Sequence, residues 1–207
     1  PNVTFECRLI DSDGPGEWES CVSPWQPGQL VDGDYRFQVR ATDAVNNVED
    51  PPQGLDFQVD TTAPTASLVA GPAAIGNETA PSFEFASEET GVTFECELVK
   101  TGESASWQEC SSPFQAAEPL ADGEWSFSVR ATDLAGNTGP ASTAHSFVVD
   151  TDPPGSQVTA GPGQRHSSAA ISVEFDSADQ DASFECRLDS LDDADWQGCA
   201  SPFEATG

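Results

Sequence analysis

Six cysteines, two histidines and many carboxylates are the residues of this 207-residue chain with types suited to chemistry. The cysteines fall into like-spaced pairs: Cys7 with Cys21, Cys96 with Cys110, and Cys186 with Cys199. Near-equal spacing argues for a bridge closing a hairpin, and a loop of about 15 residues stabilises by roughly 3 kcal/mol through lost freedom of the unfolded chain. Zinc is the competing reading. The pairs are too wide for a C-x-x-C knuckle, and His145 and His166 are the only histidines. Bridges imply an oxidising setting, extracellular or at the cell surface.

Catalysis has little to draw on. His145 lies in an alternating, strand-like context and His166 in a Gly/Ser-rich stretch beside Arg165. No Gly-x-Ser-x-Gly, phosphate loop or His-Glu-x-x-His occurs, so no enzyme is expected. With 36 acidic and 7 basic residues the formal net charge is −29, and carboxylate pairs follow from composition alone. Such a surface repels nucleic acid and anionic membranes and suits cations or a salty medium. No run of about 18 apolar residues is present, which argues against membrane insertion in this segment. Any leader or anchor is expected outside it.

The elements that must position these residues recur. Phe5, Cys7, Leu9, Trp18, Cys21 and Ser23-Pro24 return as Phe94, Cys96, Leu98, Trp107, Cys110 and Ser112-Pro113. They return again as Phe184, Cys186, Leu188, Trp196, Cys199 and Ser201-Pro202. Downstream, "DGDYRFQVRATDAVNN" matches "DGEWSFSVRATDLAGN", and "FQVDTTAP" matches "FVVDTDPP". Whole units therefore repeat. Tyr35, Phe37, Val39 and Ala41 alternate with Arg36, Gln38, Arg40 and Thr42, the period of a strand with one buried face. Gly, Pro, Asp and Asn separate such runs, and no segment reads as an amphipathic helix.

About seven short strands in roughly 90 residues is the size of an antiparallel sandwich. The chain is accordingly expected to be all-β, a tandem of immunoglobulin-like sandwiches with one bridge in each repeat. The linkers "VDTTAP" and "VDTDPP" divide it into a partial repeat over 1–60, a complete repeat over 61–150 and a partial repeat over 151–207. A window on a longer array explains the partial ends. Strand exchange between copies is the alternative: residues 155–176 would supply the opening strands that 1–60 lacks, leaving a spare hairpin.

The motif string F-E-C-x-L, W-x-x-C-x-S-P-[FW], D-G-x-[YW]-x-F-x-V-R-A-T-D-x-x-x-N and V-D-T-x-x-P resembles the tandem bacterial Ig-like repeats of very large secreted or cell-surface proteins, many of them adhesins. The resemblance implies a stalk, fibre or filament whose partners are further copies or repeats of itself, joined end to end or laterally. A calcium-dependent adhesin recognising a sugar, protein or surface is the other role that it implies.

Calcium held by hard oxygen ligands at the junctions is the functional reading of Asp43, Asn47, Asp60, Asp133, Asn137 and Asp150. The plainer reading, favoured by the sequence, is that Asp and Asn satisfy their own turns and no cofactor is bound. In a sandwich the turn before the last strand and the exit from that strand lie at opposite ends, so these oxygens cannot all share one ion. Glu88 and Glu89 are further donors for a junction that includes Asp60. Trp18, Trp107 and Trp196 are expected to cover the bridges. Asn2 and Asn77 open N-x-[ST] sequons, open to glycosylation in a host with the machinery.

Overall fold

The computed structural model describes residues 3–164, 170–188 and 195–206. They form β-strands and connecting turns, with no α-helix. The chain divides into two compact units, Pro1–Asp150 and Thr151–Gly207.

In the first unit, strand Gly33–Thr42 is the spine of one sheet. It lies antiparallel between Thr4–Asp11 and Gln53–Val59, while Gly14–Pro15 and Glu19–Cys21 pair with the far side of Thr4–Asp11. Alternation sets its faces. Cys7 sits opposite Val39, Leu9 opposite Phe37 and Tyr35 opposite Phe57, which gathers the apolar side chains on one side. A groove lined by Phe5, Leu9, Trp25, Phe37, Leu55 and Phe57 runs along that face.

Residues of the following repeat build both layers of a sandwich. The larger sheet runs in the order Gln108–Cys110, Thr93–Lys100, Gly123–Thr132, His145–Val149 and Ile75–Gly76, the last pairing in parallel. The smaller sheet is Phe114–Gln115, Ser82–Ala86 and Ser67–Ala70. Phe83 and Phe85 from the small sheet meet Phe127, Val129, Phe147 and Val149 from the large one in a core that also holds Cys96. Phe83 stacks on Phe127 with ring centres 4.1 Å apart. Facing strands bury their alternate residues because both layers supply apolar side chains at a period of two.

The second unit repeats the small sheet as Ser156–Ala160, Ala170–Ser177 and Phe203–Thr206. A hairpin, Phe184–Cys186 with Gln197–Cys199, is set beside it, and Phe184 meets Phe175 edge-on at 4.9 Å. Each hairpin is closed by a disulfide: Cys7–Cys21, Cys96–Cys110 and Cys186–Cys199. The bonds Ser23-Pro24, Ser112-Pro113 and Ser201-Pro202 are all cis.

Trp18, Trp107 and Trp196 do not cover these bridges. Cys96 faces Val129 inside the sandwich, whereas Trp107 stacks with Arg130, which pairs in register with Glu95 on the outer face. Trp18 meets Arg8 and Arg40, and Trp196 meets Arg187, in the same way. Each tryptophan stands three positions before its cysteine, at the entry to the return strand, and an odd step in extended chain places the two on opposite faces.

Candidate functional site at the joint between repeats

Three segments build the joint. The first is the exit of strand Gln53–Val59, which continues as Asp60, Thr61 and Thr62. The second is the turn after Gly123–Thr132, closed by Asp133 and Asn137. The third is the turn after Ser82–Ala86, which carries Glu89.

The exit segment is tied back to its own repeat. Asp32, just before the spine strand, accepts hydrogen bonds from the Thr61 amide (2.9 Å), the Thr61 hydroxyl (2.7 Å) and the Thr62 hydroxyl (2.8 Å). These donors, the two hydroxyls first, hold the Asp32 carboxyl below the usual carboxylate range. The Thr62 amide bonds to Asp60 Oδ1 at 3.0 Å.

The receiving turn is organised from within. Asp133 Oδ1 accepts the Asn137 amide at 2.8 Å, and Oδ2 accepts one side-chain N–H of Asn137 at 2.8 Å. Asn137 Nδ2 also donates to the main-chain carbonyl of Asp60 at 2.9 Å, a bond that spans 77 residues and two repeats. Asp133 is buried. Burial pushes its carboxyl up, but bonds from Asn137, Gly136 and Ala135 together outweigh that and hold it below the ordinary value.

Across the same joint, carboxylate oxygens of Asp60, Glu89 and Asp133 lie within 4.8 Å of one another. Burial, then the charge of Asp133, then that of Asp60, push the Glu89 carboxyl up. Three hard oxygen donors fit a calcium ion in chemical type.

The structure thus brings Asp60, Asp133 and Asn137 together and leaves the other candidate oxygens elsewhere. Asp43 and Asn47 close a matching turn at the opposite end of the first sheet, and donors from Asn47 and Val45 lower the Asp43 carboxyl. Asp150 follows strand His145–Val149, with its amide bonded to the Gly76 carbonyl at 2.9 Å. Asn77 is exposed, and Asn2 lies outside the described residues, as does His166. His145 places Nε2 2.9 Å from the Pro72 carbonyl, a structural contact.

The sequence reading omitted two participants. Asp32 precedes a glycine and passes for turn chemistry, while Gly139 passes for a loop residue. A Cβ on Gly139 would collide with the Pro64 carbonyl oxygen, so only glycine lets the linker lie this close. Recurrence of Asp-Gly before each spine strand was the available signal for Asp32.

Residues 67–151 match the family model of the bacterial Ig-like domain. No curated protein matches the chain. Among solved structures, the chain is similar to the FN1–FN3 domains of chicken CNTN1 at 13% identity, covering 98% of this chain and 75% of that one, with a TM-score of 0.33. It is similar to a tetra-tandem repeat in the extending region of a large adhesion protein at 14% identity, covering 84% of this chain and 49% of that one, with a TM-score of 0.37. A third similarity is to fibronectin(III)-like modules of Clostridium thermocellum CbhA, at 18% identity over 70% of this chain and 76% of that one, with a TM-score of 0.34.

Proposed function

We propose that this chain is a non-enzymatic structural segment of an extracellular or cell-surface protein, in which Ig-like repeats build a stiff stalk, fibre or filament. The observation that carries this reading is the joint at Asp60. One residue there ends the sheet of one repeat, and its carbonyl is held by Asn137 of the next. A short linker bonded at both ends restricts bending, the property a stalk needs. Disulfide-closed hairpins suit an oxidising exterior, and a net charge of −29 discourages clumping of dense arrays. Its partners in this reading are further repeats of its own kind.

The convergence of Asp60, Glu89 and Asp133 favours a second reading, in which calcium at the joint stiffens an adhesin. Electron microscopy of the material with calcium and after chelation separates the two. Straight particles with regular density in both conditions support the calcium-independent stalk. Particles that turn floppy on chelation support the calcium reading, and isolated beads in both conditions count against a stalk.

A further inference from the structure

We infer that the D-x-x-x-N turn is a preformed catch for the main chain of the neighbouring repeat, and that with Asp32 it forms a latch that stiffens the joint without a metal ion. This deepens the stalk reading and rests on it for its purpose.

The geometry has two halves. On the leaving repeat, Asp32 gathers both Thr61 and Thr62, so the chain departs from its strand in a fixed direction. On the receiving repeat, Asn137 spends one amide hydrogen on Asp133 and the other on the Asp60 carbonyl. Close approach of Pro64 to Gly139 then brings the linker onto the body of the receiving repeat. Between Asp60 and Pro64 little of the linker is left free to swing.

The catch exists before its partner arrives. The Asp43–Asn47 turn has the same internal bonds: the Asn47 amide to Asp43 Oδ1 at 2.9 Å, its Nδ2 to Oδ2 at 2.8 Å, and the Asp43 amide to the Asn47 carbonyl at 3.1 Å. Among the described residues, the Asn47 side chain bonds only to Asp43. The Asp carboxylate therefore fixes the Asn side chain, and the second amide hydrogen is aimed in advance. Pre-aimed donors lose less conformational freedom when a partner arrives.

The test uses the full chain, labelled with nitrogen-15, in EDTA and in calcium. Relaxation rates over residues 4–59 and 67–149 give one rotational correlation time if the joint is stiff and two shorter ones if it is loose. The wild type is expected to show one in EDTA as in calcium. Asn137→Ala and Asp32→Ala are each expected to separate the two, and Asp32→Ala to speed exchange of the Thr61 amide by roughly three- to tenfold, the worth of a net hydrogen bond. Should Asn137→Ala unfold its own turn, Asp32→Ala carries the test from an exposed position on the other repeat. A single correlation time that survives both substitutions overturns the latch and leaves the stiff stalk standing. A wild type that is loose in EDTA and stiffens only in calcium overturns the latch in favour of an ion, and one loose in both conditions sinks the latch and the stalk together.

Discussion

The Arg130 guanidinium lies 4.5 Å from the centre of the Trp107 ring, on the sheet face opposite the Cys96–Cys110 bridge. The same arginine donates from Nε to Glu95 at 2.8 Å. Three strands are thus linked on the outside of the sheet: the hairpin return, its first strand and the spine. A half-exposed ion pair contributes little alone, but a ring beneath the cation adds to it.

A double-mutant cycle on Trp107→Ala and Arg130→Ala should give a coupling of about 0.5–1 kcal/mol, read from urea unfolding. Additive losses would mean that the stacking contributes nothing beyond separate packing.

Phe127 is 1% exposed and stacked on Phe83, so Phe127→Ala should cost about 3–5 kcal/mol. Phe37 holds the same place in the first repeat but lines an open groove, and Phe37→Ala should cost clearly less. Equal losses in thermal or urea unfolding would show that the first sheet's apolar face is covered as fully as the second's.

The Cys96–Cys110 bridge spans 14 residues. Replacing both cysteines by serine should lower stability by about 3 kcal/mol on the chain-entropy account. An unchanged urea midpoint, with the hairpin intact by NMR, would assign the hairpin's stability to packing alone.

Glu89 has a pH signature with a definite sign. Its carboxyl titrates above its ordinary value of 4.5 in the fold, so the ionised form is disfavoured there relative to the unfolded chain. The penalty is fully present above the folded pKa and is relieved as pH falls through it towards 4.5. Glu89→Gln should therefore stabilise at neutral pH and lose its advantage near pH 4. Asp133 runs the other way: its lowered carboxyl contributes stability above the ordinary value of 3.8 that disappears as pH falls through the folded pKa. A Glu89→Gln advantage that persists below pH 4 would contradict this account.

Much of the fold follows from period and repetition. Alternation from Tyr35 to Ala41 specifies which side chains share a face, and paired cysteines at fixed spacing specify hairpins, because both are properties of one or two adjacent strands. The tryptophans show the same rule applied incompletely. Period two already separates Trp107 from Cys110 by an odd step, so their opposite faces were legible in the sequence, and expecting the ring to cover the bridge ignored that parity.

Contacts between distant segments were not legible in this way. Ser112 Oγ accepts the Phe85 amide at 3.0 Å, and Ser201 Oγ accepts the Phe175 amide at 3.0 Å, closing each hairpin onto the small sheet. Nothing local to Ser-Pro announces that partner. The joint is the stronger case. The sequence by itself determined that Asp60 ends a strand and that Asp133 and Asn137 close a turn, since each is a local act of hydrogen bonding. Only the tertiary structure decided that the end of one repeat meets the turn of the next, because that depends on how the sheet of one repeat abuts the sandwich of the next, and no periodicity within either one encodes it.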